Sequence, residues 1–270
     1  MSKICIYHGN CADGFTSAWI VKQNLGDIEF HAGVYSQPPP VVKDKDVILT
    51  DFSYKRPVME EIVRQAKSVL ILDHHKSAEL DLKDLQGADV VFDMERSGAG
   101  ITWDHYNVGV KRPDLVNHIE DRDLWRMSLV GTREIQANVF SHEYTFENWN
   151  MLMATPVADL VYDGLIIERK HFKDIKELVK ITKRYVTINE IRVPVASLPY
   201  TMSSDAGHMM AEGEPFAMCY WDTATHRIFS LRSTKDVGMD VSVVASSYGG
   251  GGHKHASGFS VTREHPLASI

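Results

Sequence analysis

Cysteine is scarce in this chain of 270 residues: Cys5, Cys11 and Cys219 are odd in number and widely scattered. That argues against a disulfide frame and for reduced thiols, so a cytoplasmic protein is expected. Long apolar runs are missing as well. None approaches the ~20 residues of a membrane-spanning helix, and the opening "MSKICIYHGN" has no basic flank followed by a long apolar core. No membrane partner is expected. A positive balance is also absent, the formal net charge being −7. Coating long nucleic acid rests on neutralising many phosphates with Lys and Arg, so long duplex is not an expected partner. A small phosphate substrate stays open, because bound metal ions can supply positive charge. Repeats and low-complexity segments are absent too. What remains is ordinary globular composition, 44% hydrophobic and 24% charged, long enough for one large core or two smaller ones.

The N-terminal third alternates strand and helix. "KICIY" (Lys3–Tyr7) is a short apolar run that stops at His8, and "DVILT" (Asp46–Thr50) stops at Asp51. "VLIL" (Val69–Leu72) stops at Asp73, His74 and His75, and "ADVVFD" (Ala88–Asp93) is a fourth candidate strand. Between them, Phe15, Ala18, Trp19 and Leu25 recur at helical spacing in Gly14–Leu25. Lys55–Lys67 carries Pro57 in a first turn and Val58, Ile62 and Ala66 on one face. "RSGAGITWDHY" reads as a helix start. The fold class is therefore α/β, a parallel sheet with flanking helices, plus a smaller α/β C-terminal domain. In such sheets ligands bind beyond the carboxyl ends of the strands, and three of the four runs end there on a metal-capable residue.

The middle, Val108 to Val186, reads mostly helical, with Asp159–Tyr185 as its longest segment. Beyond it, "EIRVPVAS" reads as a strand, "SDAGHMMAEG" as a helix opened by a Ser/Asp cap, and "EPFAMCYWDTATHRIFSLRS" as a hairpin turning at Asp222 to Thr225. "MDVSVVASSYGGGGHKHASGFSV" reads as helix, glycine loop and final strand. The expected division is 1–135 catalytic domain, 136–186 helical connector and 187–270 C-terminal domain. "SQPPP" (Ser36–Pro40) is a stiff surface loop by composition. The apolar stretch Met151–Ile167 reads as core, with a face for a second copy of the chain as the other reading.

The candidate ligands are His8, Asp13, Asp51, Asp73, His74 and one of Asp121 or Asp123. Several carboxylates with a few imidazoles suit Mn²⁺ or another octahedral divalent ion better than structural zinc. Two such ions about 3.5–4 Å apart can stabilise both oxygens of an in-line phosphoryl displacement. Taken alone, His8 is a common loop residue and Asp51 a common helix cap. Consecutive "DHH" at a buried strand end is harder to dismiss, because buried ionisable groups need partners or a metal. The second signal is "GGGGHKHASGF" (Gly249–Phe259). Its glycines let backbone approach a ligand closely and present N–H groups to an anion, and His253 follows at once. No Lys-Ser/Thr pair follows, so it is not a Walker loop.

"DHH" at 73–75, "YHGNCADGF" at 7–15, "TDF" at 50–52 and "GGGGHKHASGF" at 249–259 resemble the DHH phosphoesterase superfamily. The branch is the one whose catalytic domain is followed by the DHH-associated C-terminal domain. The resemblance implies two Mn²⁺ ions, with Mg²⁺ or another divalent ion as alternatives, and a substrate held by both domains. By position it makes His8, Asp13, Asp51 and His74 ligands, Asp51 the bridging carboxylate, and Asp121, in preference to Asp123, the last ligand. Asp73 and His75 join Asp51 as catalytic residues. Gly250, Gly251, Gly252, His253, His255 and Arg232 would bind substrate, and Asp240 would open a helix. Cys11 stands where the family has an Asp, so it is either a ligand or a replacement that alters metal preference.

The activity implied is a phosphodiesterase that cleaves short oligonucleotides or linear dinucleotides to mononucleotides. The alternatives are a 3′-phosphoadenosine 5′-phosphate phosphatase, a single-strand exonuclease and a non-catalytic nucleotide sensor.

Overall fold

The computed structural model describes residues 2–35 and 37–270. The N-terminal part is built from β1 (Lys3–His8), α1 (Ala12–Leu25), β2 (Glu29–Gly33), β3 (Asp46–Thr50), α2 (Arg56–Gln65), β4 (Ser68–Asp73), α3 (Lys76–Asp81), β5 (Asp89–Phe92) and α4 (Gly98–Tyr106). The five strands form one parallel sheet in the order β2-β1-β3-β4-β5. Register explains why the strands are apolar almost throughout. Ile4, Val47 and Val69 lie side by side, as do Ile6, Leu49 and Ile71, and both rows point to the face where Met59 and Ile62 of α2 pack. The alternate row, Cys5, Ile48 and Leu70, points to the opposite face, against Val21 of α1. A strand buried on both faces cannot alternate polar with apolar. Whatever is ionisable is left for the strand ends.

Four more helices follow: α5 (Asp114–Asp123), α6 (Thr132–Phe140), α7 (Phe146–Ala154) and α8 (Val157–Thr182). Val116 and Ile119 of α5, Ile135 and Val139 of α6, Trp149 and Leu152 of α7, and Leu160 of α8 close a second core over Phe15 and Ile20 of α1. Of the stretch Met151–Ile167, Leu152 and Leu160 are core, whereas Tyr162, Leu165 and Ile166 are exposed. Among the described residues no single helix is long and apolar enough to cross a membrane.

Compactness divides the chain into a unit ending at Glu168 and a unit beginning at Arg169. The second unit adds β6 (Arg184–Ile188), β7 (Ile191–Ser197), α9 (Ser203–Ala211), β8 (Ala217–Asp222), β9 (His226–Arg232), α10 (Val241–Ser247), β10 (Gly251–His253) and β11 (Ala256–Thr262). Its six strands form a mixed sheet, β10-β11-β9-β8-β7-β6, in which only β7 and β8 run parallel. Val193, Val195, Met218, Phe229, Leu231 and Phe259 line one face with Val241 and Val244 of α10. Ala196, Ala217 and Cys219 line the other, with Met210 of α9 and Ile175 of α8.

Several expectations change. β2, "EFHAG", is an unanticipated strand: it is a half-exposed edge with no apolar run to announce it. Helix was expected to Val186, but β6 begins at Arg184, where "YVTI" pairs with β7. Ser204 and Asp205 do not cap α9. A 3₁₀ turn at Tyr200–Met202 runs straight into it, Met202 holds the cap position, and Asp205 pairs instead with His171 at 2.9 Å. The glycine segment is partly strand, Gly251–His253 pairing with β11. Of "SQPPP", Ser36 lies outside the described residues.

Candidate metal centre

Strands β1, β3 and β4 are neighbours, so their carboxyl ends bring His8, Asp51 and Asp73–His75 together at one sheet edge. Asp51 is the first residue past β3. Its backbone takes the left-handed conformation (φ 55°), which Asp tolerates better than most residues, while its N–H stays bonded to the Leu72 carbonyl at 2.9 Å. The carboxylate sits between two imidazoles: Oδ2 lies 3.4 Å from His8 Nδ1 and Oδ1 lies 3.0 Å from His74 Nε2. Asp51 is 1% exposed, and neither oxygen accepts a well-formed hydrogen bond among the described residues. A buried carboxylate left in that state is costly unless a cation satisfies it.

Asp13, in the first turn of α1, reaches the same place. Its oxygens accept from the N–H groups of Gly98 (2.6 Å) and Ala99 (3.0 Å), the opening turn of α4. The approach is tight: a Cβ on Gly98 would lie 2.4 Å from Asp51 Cβ. One residue earlier, Ser97 N–H donates to Glu120 of α5 at 3.0 Å. The Glu120 carboxylate lies 3.0 Å from the Arg112 guanidinium and 3.6 Å from that of Arg126. Ser97 closes the set by accepting from Gly100 N–H at 3.2 Å. Every N–H of this helix start is thus committed, and Asp13 is held rigidly.

The expected preference for Asp121 over Asp123 is reversed. Asp123 Oδ2 lies 3.4 Å from His74 Nε2, whereas Asp121 points away. Asp121 accepts from Ser128 N–H (2.9 Å), Ser128 Oγ (2.7 Å), Leu129 N–H (3.0 Å) and Thr132 Oγ1 (2.7 Å), and so pins the loop between α5 and α6. Two residues along a helix project about 200° apart, so the two acids cannot share a direction. Asp73 is likewise a support. Its carboxylate accepts from Ser53 Oγ (2.6 Å), the N–H groups of His74 (2.7 Å) and His75 (3.2 Å), and His75 Nδ1 (2.7 Å). That last bond places the proton on Nδ1, which makes Nε2 the nitrogen able to ligate.

Within the first unit the donors fall into two groups: His8, Asp51 and His75, and Asp13, His74 and Asp123. Within each, one atom per residue lies within 4.8 Å of the others, close enough for a single divalent cation to collect all three. Cys11 belongs to neither group. It occupies the cap position of α1 without a side-chain capping bond.

Electrostatics supports the same reading. Burial pushes Asp13 well above the usual carboxylate range, reinforced by Asp51 and Asp123. Burial also raises Asp123. For Asp51, burial opposes ionisation, but the rings of His74 and His8 outweigh it and hold the group well below its ordinary value. Burial likewise works against the charged form of His74, but Asp51, Asp123 and Asp13 push it up to about 10. Burial raises the Cys11 thiol, and the same three carboxylates add to the effect. Without a cation, protons neutralise the excess negative charge. A divalent ion would replace them.

The second unit carries the other expected residues. Arg232, at the end of β9, donates from Nη1 to Ser230 Oγ (2.9 Å) and the Leu231 carbonyl (2.8 Å), and from Nη2 to Ser204 Oγ (2.7 Å). Its guanidinium is therefore fixed in direction. Asp240 caps α10, accepting from Ser242 N–H at 3.0 Å. Ser233 Oγ donates to the Met239 carbonyl (2.7 Å), so it accepts from His255 Nδ1 (2.9 Å), which carries its proton. Burial and then Lys254 lower the His255 pKa. The glycines have a packing reason of their own. A Cβ on Gly250 would lie 2.1 Å from the Gly258 carbonyl oxygen, and one on Gly252 would lie 2.6 Å from that of Ala256. Gly251 and His253 belong to the same short strand.

No family model matches the chain. Among curated proteins it is 32% identical, over 283 aligned positions, to the uncharacterized protein R106 of Acanthamoeba polyphaga mimivirus. The match covers 94% of this chain and 66% of that protein, so the chain spans about two thirds of its relative's length. Among solved structures, the pGpG-specific phosphodiesterase PggH from Vibrio cholerae superposes with a TM-score of 0.50 at 13% identity, covering 100% of this chain and 96% of that one. The chain shares its fold with this phosphodiesterase. An uncharacterized protein from Helicobacter pylori G27 aligns over 97% of this chain and 94% of its own, with a TM-score of 0.41 and 14% identity. The resemblance read from the motifs therefore holds at the level of architecture: a five-stranded parallel sheet with a buried His/Asp cluster at its edge, then a mixed-sheet C-terminal unit.

Residues not anticipated from sequence are Ser53, behind Asp73, and Glu120, Ser97 and Gly98, behind Asp13. Only the small-residue run "SGAG" shortly after β5 hinted at a close approach.

Proposed function

We propose that this protein is a metal-dependent phosphodiesterase that hydrolyses short oligonucleotides or linear dinucleotides to mononucleotides. The observation that carries this reading is the pair of donor groups flanking the buried Asp51 carboxylate, whose oxygens accept no well-formed hydrogen bond. His8, Asp51 and His75 would hold one divalent ion, and Asp13, His74 and Asp123 the other. Mn²⁺ is the ion that this mixture of carboxylate and imidazole favours. Bound there, the ions would supply positive charge against phosphoryl oxygens and make water acidic enough to serve as nucleophile near neutral pH.

The chain's own residues do the rest. Asp51 stays ionised across the neutral range and faces both donor groups, which orients it to bridge them. Asp73 and Ser53 lock the His75 ring and fix its proton on Nδ1. Gly98 and Ala99 keep Asp13 aimed through their N–H groups. In the C-terminal unit, Arg232, fixed by Ser204 and Ser230, is the cation proposed to bind a substrate phosphate. PggH is a phosphodiesterase specific for a linear dinucleotide by its name, and that shared fold favours the small end of the nucleotidic substrates.

The test is hydrolysis of 5′-labelled RNA, from dinucleotides to decanucleotides, by purified protein with Mn²⁺, Mg²⁺ or EDTA. Mn²⁺-dependent release of mononucleotides from the shortest substrates is expected, and Asp51→Asn is expected to abolish it. Rates near wild type in Asp51→Asn would refute the assignment. Absence of cleavage at every length would direct the search to 3′-phosphoadenosine 5′-phosphate and then to a sensor.

A further inference from the structure

Beside the cluster stands an aromatic side chain that none of the metal chemistry requires. Tyr35 lies two residues past β2, the edge strand beside β1. Its ring meets that of His8 edge-on at 5.5 Å (73°) and that of His75 at 6.4 Å (77°). On another side it leans on Phe52, centroids 4.8 Å apart. Phe52 is fully buried, and the missing Cβ of Gly33 makes room for it, since a methyl there would lie 2.7 Å from its ring. Tyr35 is thus set against two candidate ligands on a rigid base, yet 47% of it remains exposed. A tyrosine serving only as core filler would be buried, and one serving only as surface would have no reason to sit against these imidazoles.

We propose that Tyr35 is a substrate-contacting residue, a platform on which a nucleobase flanking the scissile phosphate stacks. This rests on the phosphodiesterase reading and deepens it. A phosphodiester held against an ion bound by His8, Asp51 and His75 would have its adjoining nucleoside beside whatever ring lies against those imidazoles. Aromatic platforms bind bases without demanding a sequence, because every base has a π-face. Such a contact lets a chain of net negative charge recognise nucleotides, and it selects short nucleotidic esters over simple alkyl phosphodiesters.

The experiment compares wild type, Tyr35→Ala and Tyr35→Phe on a dinucleotide and on its fully abasic analogue, with Mn²⁺ affinity measured separately by calorimetry. Tyr35→Ala should raise KM for the dinucleotide roughly 5- to 150-fold, the range for losing one base stack. Its kcat should stay within about twofold, its Mn²⁺ affinity should not change, and Tyr35→Phe should restore KM. On the abasic analogue all three proteins should share one KM. An unchanged KM in Tyr35→Ala, or an equal rise on the abasic analogue, overturns the proposal. So does a loss of Mn²⁺ affinity matching the loss of activity, which would make Tyr35 a support for the metal site. If wild type cleaves no nucleotide at all, the phosphodiesterase reading fails. The platform is then judged by equilibrium dialysis with adenosine 5′-monophosphate, where equal binding by wild type and Tyr35→Ala refutes it too.

Discussion

Gly98→Ala sets two effects of opposite sign against each other. Gly98 is the first residue of α4 and has no positive φ, so on helix propensity alone alanine should stabilise the protein by about 1 kcal/mol. Packing says the reverse. The new methyl would lie 2.4 Å from Asp51 Cβ, 2.8 Å from its Cα and 2.9 Å from its Cγ, none of them the loose end of a flexible chain. Relieving the closest contact to the ~3.5 Å of a normal carbon pair needs a displacement of about 1 Å. Overpacking of that kind costs about 1–3 kcal/mol, so the net effect should be a loss of up to about 2 kcal/mol. The shift also falls on Asp51 and on the Gly98 N–H that holds Asp13. A misplacement of about 1 Å in a reacting constellation costs on the order of 100-fold in rate. The assays are urea denaturation in EDTA, which isolates packing from metal, followed by Mn²⁺ affinity and hydrolysis. A variant more stable than wild type, with undiminished Mn²⁺ affinity, would refute the close approach of α4 to Asp51 and the reasoning built on it.

Asp123→Asn should weaken Mn²⁺ binding at least 100-fold while leaving metal-free stability unchanged or higher, and Asp121→Asn should cost about 2–3 kcal/mol through lost loop bonds; calorimetry and urea titration separate them. Cys11→Asp should preserve activity and move metal preference toward Mn²⁺, whereas unaltered metal dependence would make Cys11 a bystander. In the second unit, the Arg227 guanidinium 2.8 Å from Asp222, together with Arg263, holds that carboxyl below the usual range. A depressed folded pKa contributes stability above the unfolded value of about 4 and loses it as pH falls toward the lower folded value. Asp222→Asn should therefore be less stable than wild type at pH 6, by no more than about 1 kcal/mol for a carboxylate that water still reaches. That gap should shrink below about pH 4; urea midpoints that fall in parallel with pH would contradict it.

The parallel sheet was readable because both of its faces are buried. Runs such as "DVILT" and "VLIL" carry their own boundaries, and β3 spans the same five residues expected of it. β2 escaped because an edge strand needs no such run. The cluster was readable as a set of chemically expensive residues at strand ends, which is why His8, Asp51 and His74 were found together. The choice between Asp121 and Asp123 was not readable. It depends on the rotational phase of α5, and that phase is set by packing of Val116 and Ile119 against α1, α6 and α7. Sequence also treats "DHH" as one motif, whereas Asp73 turns back to hold His75 and only the imidazoles face the donors. The supports provided by Ser53 and Glu120 lie 20 and 23 residues from their partners, beyond any local pattern.

The spread of the donors along the chain has one more consequence. Asp13 lies in the first helix and Asp123 at the end of the fifth, so an ion held by both would act as a cross-link closing a loop of more than a hundred residues. Tying such a loop in a disulfide removes about 4–5 kcal/mol of chain entropy from the unfolded state, and a metal bridge draws on the same source. Metal supply would then govern how long the polypeptide survives proteolysis as well as how fast it turns over.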